Sequence, residues 1–568
     1  MKKTGAKILK EEIARETRSG NASMRIASLP FSEIPSQSQL FTAYQRDPVS
    51  LRKFYPNAVS SPEQIASFVP TVLAKYYTDR SELCDALFEI NTRSGASEGT
   101  FKNIELLRGR DTVAIVTGQQ AGLFTGPIYT IYKALTAIKM AEMLNREGCK
   151  AVPVFWVATE DHDFDEVSKT YIVDKHGGLN ESKTKPANYH ENSPVGYVKL
   201  DESICKVVND LVDALSPTEF TAEMRKILDS TWKTGELFGD AFSKLLTQLL
   251  KDYGLIIVDP LDTALKQLAA PLYVEAVNRS AEIVDALRTR SKELEAEGYS
   301  AQVLTGEDYF PLFWHADNNT RNALRKTENG TINAKGGSRE FTIDELASIA
   351  ATEPERFSPS VVLRSVVQDY ILPTACYVGG GAEIAYFAQN AEVYRVLNRP
   401  VTPILHRQSF TFVESKHAKT MAKYELNLIK LFDGYDGLLP QIVEKYLNAG
   451  SAKVFARAEE NINIELNRLD QDVSKIDVTL AENLANRRRK ILYHIAALRN
   501  KFYKVQIRKD ADIRRQLEEM LTVLLPNGNL QERSINITYF LNRYGPSFVD
   551  WIYDAIDLED RCHRIVKL

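Results

Sequence analysis

Five short runs dense in branched and aromatic residues punctuate the middle of the chain: DTVAIVTG (111–118), AVPVFWVAT (151–159), GLIIVDP (254–260), PTACYVGGG (373–381) and VTPILH (401–406). Runs of this length without polar alternation predict strands buried on both faces, and the helical stretches between them predict parallel pairing through crossovers. The first crossover can be read residue by residue. Pro127 suits a first helical position, Ile128, Ile131, Leu135 and Ile138 repeat at helical spacing, and Gly148 ends the helix. The expected fold class is α/β, with an open parallel sheet over residues 111–410. A mostly helical part packs on it from residues 1–110, and a helical region follows over 411–568.

Two stretches interrupt this grammar. Residues 175–250 open with a polar segment and then turn helical. Residues 315–350 carry short alternating segments around Asn329-Gly330 and Gly336-Gly337, which predicts an antiparallel hairpin grafted onto the parallel sheet. Beyond residue 410, Ile462, Leu466, Leu469, Val473, Ile476, Leu480 and Leu484, then Ile491, Ile495, Leu498, Phe502 and Val505, space out a heptad seam, with one extra step of four at Leu480 to Leu484. A continuous helix over that seam would run roughly 65 Å and would need a partner. Either an antiparallel hairpin within the chain or the same helix of a second chain fits the pattern near 455–510.

Charge and cysteine usage exclude several classes. Lys and Arg number 71 against 75 Asp and Glu, a net charge of −4, so nothing marks the chain for duplex nucleic acid or an anionic membrane. The five cysteines, Cys84, Cys149, Cys205, Cys376 and Cys562, form no CxxC pair, which argues against a disulfide framework or a zinc site. The basic start of the chain is interrupted by acidic residues, and no stretch has about 18 uncharged apolar residues. A cytoplasmic protein acting on small molecules is expected.

In an open parallel sheet, ligands sit beyond the carboxyl ends of the strands. TGQQAGLFTGP (117–127) follows the first strand with Gly118, Gly122 and Gly126 four residues apart, without the spacing of dinucleotide or P-loop motifs. Its glycines can bring backbone amides to an anion at a helix start, and Gln119, Gln120, Thr125 and Tyr129 add neutral hydrogen-bonding groups. A merely tight strand-to-helix turn fits as well. After the second strand, Glu160, Asp161, Asp163, Asp165 and Glu166 crowd around His162, so a cation or an ammonium group is expected there, with His162 as general base or hydrogen-bond donor. A solvated acidic turn is the plainer alternative. After the fourth strand come Gly379, Gly380, Gly381 and Glu383, suited to a ribose or substrate or to close packing, and after the fifth comes Arg407, suited to a carboxylate or phosphate.

Four segments, TGQQAGLFTGPIYTIYK, VPVFWVATEDHDFDEV, SPSVVLRSVVQDYILPTACYVGGGAEIAYFAQ and TPILHRQSFTFVE, together resemble the BshC family of cysteine ligases in bacillithiol biosynthesis, and the likeness covers nearly the whole chain. The resemblance implies a Rossmann-like core with connecting insertions, similar to that of class I aminoacyl-tRNA synthetases, and a C-terminal coiled coil that forms a homodimer. It implies the last step of the pathway, joining the carboxyl group of L-cysteine to the amine of glucosaminyl malate. Amide formation in water is uphill, so the carboxyl group needs activation, most simply as an adenylate from ATP and Mg²⁺. On that reading the catalytic set is His162, Asp161 and Asp163. The binding set is Gly118, Gln119, Gln120, Thr125, Gly126, Tyr129, Glu160, Gly379, Gly380, Gly381, Glu383 and Arg407. The adenylate-forming HIGH motif has its positional counterpart in TGPIYTIY, which holds no histidine, with Tyr132 at the point of departure. Another nucleotide-dependent transferase or nucleotidyltransferase on the same fold would use the same loops, and a coiled-coil scaffold would use none. Cys376 is the best placed cysteine for a covalent thioester.

Overall fold

A computed structural model describes residues 15–19, 22–336, 339–447, 450–476, 478–508 and 510–568. The start of the chain before residue 15 and Gly337 of the glycine pair lie outside the described residues. The chain divides into two compact units, one built from the chain up to Thr411 together with Glu532–Val566, the other from Phe412–Gln531 with the last two residues.

In the first unit, β1 (Val113–Gln119), α1 (Tyr129–Arg146), β2 (Ala151–Val157) and β3 (Ile256–Val258) are followed by α2 (Thr263–Asn278). The chain then lays down β4 (Tyr309–His315), β5 (Arg321–Lys326), β6 (Ile332–Ala334), β7 (Glu340–Phe341) and β8 (Phe357–Pro359). It returns through α3 (Val361–Ile371), β9 (Thr374–Gly379), α4 (Gly381–Val396) and β10 (Ile404–His406).

The five predicted strands form one parallel sheet in the order β10-β9-β1-β2-β3, with Val113 opposite Ala151 and Tyr377 opposite Ile404. Every residue of β2 is buried, as the unbroken apolar run requires of a strand covered on both faces. Helices Arg80–Arg93 and Glu98–Arg108 lie on the N-terminal side of the chain, where strands Arg15–Ser19 and Ala22–Leu29 also pair, an addition that residues 1–110 did not announce. The polar opening of the first insertion forms a hairpin, Lys169–Val173 with Leu179–Lys183, before three helices between Ser203 and Leu249.

The second insertion departs from expectation. Its hairpin is present, turning at Gly330 with φ of 83° and pairing Ile332 with Lys326. It does not extend the parallel sheet, however, but belongs to a separate antiparallel sheet in the order β7-β6-β5-β4-β8. The extra strands β4 and β8 satisfy the hairpin's edge, which a lone pair of strands would leave open.

The glycine-rich segment after β1 is held from far along the chain. Phe124, Thr125 and Gly126 take φ of 53°, 74° and 69°, a strained run in which two residues carry side chains. The buried Asn536 amide donates to the carbonyl oxygens of Phe124, at 2.8 Å, and Gly126, at 2.6 Å, while the Ile128 amide donates to the Ile535 carbonyl at 2.9 Å. Close by in sequence, Glu532 accepts both arms of Arg407, at 2.7 and 3.0 Å, and the Phe410 amide at 3.0 Å. Thr125 and Gly126 are thus part of the scaffold.

In the second unit the heptad seam is not one helix. Helices Ser451–Val473 and Val478–Arg508 run antiparallel, with Arg499 to Glu459 at 2.9 Å, Arg488 to Asn467 at 2.7 Å and the Phe455 and Phe502 rings 5.6 Å apart. The first helix ends with Ser474 as its C-cap residue, and the reversal falls at Ser474–Ile476. Of the two arrangements left open by the sequence, the hairpin within the chain is present. The side chain of Leu480 lies outside the described residues.

Replacing Asn536 with the near-isosteric Leu leaves two buried carbonyl groups without their donor. Each such loss costs about 1–3 kcal/mol, so Asn536→Leu is expected to lower the unfolding free energy by about 2–5 kcal/mol, measured by urea denaturation, whereas Asn278→Leu at the exposed end of α2 should change little.

Candidate active site

A cleft of about 670 Å³ opens beyond the carboxyl ends of β1, β2 and β9, where the parallel-sheet rule places ligands. Its floor comes from Gly118, Gln119 and Gln120, and its far wall from Phe313, Arg321 and Arg325 of the antiparallel sheet. The insertion therefore completes the site.

Lys133, one helical turn after Tyr129 on α1, points into the core of this floor. Its ammonium donates to the Gly118 carbonyl at 2.7 Å, to Gln119 Oε1 at 2.9 Å and to Glu383 Oε2. Gln119 in turn donates to the Tyr129 hydroxyl at 3.2 Å. At Gly118 a side chain would stand 2.8 Å from the Trp156 carbonyl, so the close approach of β1 to β2 requires glycine. Thr125 and Gly126, expected at a ligand, do not line the cleft.

The acidic run after β2 disperses. Glu160 is buried and pairs with Lys266 of α2, whose ammonium also donates to the Phe357 carbonyl at 2.6 Å. Asp163 caps the short helix Phe164–Val167 by accepting from the Glu166 amide at 3.2 Å, and it lies outside the cleft lining. Asp165 faces Lys183 at 3.5 Å. Asp161 and Glu166 do face the cleft, bridged by the Gln120 amide at 2.7 and 2.9 Å. Burial raises the Asp161 carboxyl group, but Gln120, Arg321 and two backbone amides outweigh it and hold the group below its ordinary value. Among the described residues, no trio of His, Cys, Asp or Glu converges on a point where a metal ion could sit. Of the run expected to meet a cation or an ammonium group, Asp163 and Asp165 turn to separate partners, while Asp161 and Glu166 share the Gln120 amide at the cleft.

His162 sits between this loop and Arg321. The guanidinium stacks on Phe313 at 3.7 Å, donates to Ser358 Oγ at 2.8 Å and the Pro359 carbonyl at 3.0 Å, and places Nη1 3.0 Å from His162 Nδ1. A guanidinium can only donate, so Nδ1 accepts and the proton of the neutral ring is on Nε2. Burial and the Arg321 charge hold the imidazole below its ordinary value, which keeps it neutral at pH 7. In this tautomer His162, which lines the cleft, carries its N–H on Nε2.

The three glycines after β9 divide. Gly379 is packed, since a side chain there would press on Ile404 at 3.0 Å, while Gly380 and Gly381 line the cleft. Glu383 receives the Gly380 amide at 2.6 Å, the Tyr377 hydroxyl at 2.6 Å and Lys133. Burial raises its carboxyl group, and Lys133 with these donors holds it below the ordinary value. Arg407 borders the cleft but directs its fork to Glu532. Cys376 is fully buried in β9 with its thiol pushed up by burial, and it does not reach the cleft.

Two family models match the chain: the N-terminal Rossmann-like domain of bacillithiol biosynthesis BshC over residues 24–408, and the BshC C-terminal coiled-coil domain over residues 410–568. The chain belongs to the BshC family. Relatives named "Putative cysteine ligase BshC" include one from Salinibacter ruber, 35% identical over 93% of this chain and 96% of its own length. Others come from Koribacter versatilis, 33% identical over 95% and 99%, and Geobacillus kaustophilus, 31% identical over 86% and 91%. The family's Rossmann-like core is the parallel sheet described above. In this BshC chain Tyr132, at the position counterpart to a HIGH histidine, is fully buried against Phe410 and faces away from the cleft, so its identity does not bear on the cleft directly.

Sequence reasoning missed Lys133, Arg321, Arg364 and Tyr377 as site residues. Lys133 was recoverable, being four residues after Tyr129 on one helix face. Arg321 was not, because nothing local to the insertion says which sheet end it covers.

If His162 acts as a donor, His162→Gln, which can place an amide N–H near the Nε2 position, should keep at least a tenth of kcat/KM in a cysteine-ligation assay. His162→Ala should lose about 100-fold, the usual loss on removing one positioned donor. Equal losses in the two variants would assign the ring the role of proton acceptor instead.

Proposed function

We propose that the cleft joins L-cysteine to glucosaminyl malate, forming the amide bond that completes bacillithiol in the cytoplasm. The observation that carries this reading is the presence of both signs of charge in one cleft. Asp161 and Glu166 present carboxylates to the cleft, and Arg364 and Arg533 border it with positive charge. Cysteine carries an ammonium and a carboxylate, and glucosaminyl malate carries an amine and two carboxylates, so both substrates need both signs of charge.

The cysteine carboxylate attacks a phosphorus of ATP, forming a mixed anhydride and releasing pyrophosphate, or ADP if the terminal phosphorus is attacked. The sugar amine, having lost one proton to a cleft carboxylate, attacks the carbonyl carbon. The tetrahedral intermediate collapses to the amide with departure of AMP or phosphate, which retains one carboxyl oxygen. The Nε2–H of His162 suits the negative oxygen that develops during this collapse.

We also propose that a second copy of the chain covers the helical hairpin. Leu469, Tyr493 and Leu498 are 48, 70 and 60% exposed along it, more apolar stripe than a solvated hairpin normally presents.

Two measurements test these readings. Incubating the protein with ATP, glucosaminyl malate and L-cysteine labelled with ¹⁸O in its carboxyl group should yield bacillithiol by mass spectrometry, with one label atom in AMP for an adenylate or in phosphate for an acyl phosphate. Consumption of glucosaminyl malate without cysteine would instead indicate another transferase. Sedimentation velocity at micromolar concentration should show a dimer that Leu469→Glu with Leu498→Glu converts to monomer; a monomeric wild type would remove the dimer.

A further inference from the structure

Two long helices begin at the carboxyl end of the parallel sheet beside the cleft, and their first turns differ. At α1 the Ile128 amide is taken by the Ile535 carbonyl and the Thr130 amide by the Pro127 carbonyl at 3.0 Å, so the start of α1 is closed by the protein itself. At α4 the residues Gly380, Gly381 and Ala382 all line the cleft. The amides of Gly381 and Ala382 belong to the first turn and have no intrahelical acceptor.

Beside this turn stands Arg364 of α3. Its guanidinium donates to Gln368 Oε1 at 3.1 Å and hydrogen-bonds the Tyr386 hydroxyl, and its Cζ lies 5.3 Å from the centre of the Tyr377 ring. Its Nη2 is shielded from solvent and has no hydrogen-bond acceptor in the protein. The nearest carboxylate, Glu383, is already filled by Lys133, Tyr377 and the Gly380 amide and is neutralised by the first of these. A partly buried guanidinium whose facing carboxylate is already neutralised by Lys133, and whose Nη2 is shielded from water, gains from a further anion.

We propose that Arg364 and the first turn of α4 form an oxyanion subsite that holds a carboxylate or phosphate group of a substrate. The inference rests on the cleft being the ligation site and assigns which part of it receives negative charge. The planar fork of Arg364 offers paired donors, and the helix start adds two more with a partial positive charge. The same chemistry would grip the malyl carboxylates of the acceptor or a phosphate of the activating nucleotide.

The test uses the full-length protein and two probes, L-malate and inorganic phosphate, titrated calorimetrically into wild type, Arg364→Lys and Arg364→Gln. Wild type should bind one probe, and Arg364→Gln should weaken that binding at least tenfold, with Arg364→Lys intermediate because it keeps the charge but loses the fork. A malate response assigns the subsite to the acceptor, and a phosphate response assigns it to the nucleotide; KM for the same substrate should rise in parallel. Should Arg364→Gln fail to fold, the Arg364→Lys comparison carries the test. Binding of neither probe by wild type, or binding unchanged in the folded variants, overturns the subsite. Because binding needs no turnover, loss of binding in the variants with no ligation activity in wild type would leave the subsite standing and count against the ligase reading alone.

Discussion

One buried ammonium organises the cleft. Lys133 joins the end of β1, through the Gly118 carbonyl and Gln119, to the start of α4, through Glu383. All three of its protons have acceptors, so it is a fastener rather than a nucleophile. Removing it would leave Glu383 charged and buried without its cation, the kind of loss that costs about 3–5 kcal/mol. The cleft floor and the triple-glycine turn are therefore one object. Gln119, Tyr129, Gly380 and Tyr377 hold their places because this pair does.

A second fastening comes from the far end of the chain. Glu532, Ile535 and Asn536 return to the first unit and satisfy Arg407, Ile128 and the strained carbonyls of Phe124 and Gly126. Their consequence for function is indirect. By occupying the start of α1 they remove the anion site that the glycine-rich loop suggests, and negative charge must be met elsewhere in the cleft. The unpaired Nη2 of Arg364 and the open turn of α4 are what the first unit offers in its place.

Much of this architecture is legible in the chain because it depends on short-range pattern. The run AVPVFWV is buried at every position, as an apolar stretch without alternation must be. Asn329-Gly330 turns a hairpin because glycine tolerates the required φ. The heptad seam correctly marks a coiled pair of helices, yet spacing alone did not show that the first of them would end at Ser474. The acidic run misled for a related reason. Five carboxylates adjacent in sequence look like one site, but the backbone after β2 sends them to different partners, Glu160 inward to Lys266, Asp163 to a helix cap and Asp165 to Lys183, and leaves Asp161 and Glu166 sharing Gln120.

Local composition and periodicity by themselves determined the parallel strands, the crossovers and the loops that carry Gln119, Gln120, Asp161 and His162, and the motifs in those loops carry the resemblance to the family. Tertiary structure alone decided what each of these groups can do. Arg321 lies 159 residues from His162 in the chain and yet sets its tautomer. Asn536 lies 410 residues from Gly126 and makes that glycine part of the scaffold. Hydrogen bonds and charge pairs are made between groups that the fold brings within about 3 Å, and that distance has no counterpart in the spacing of residues along the chain.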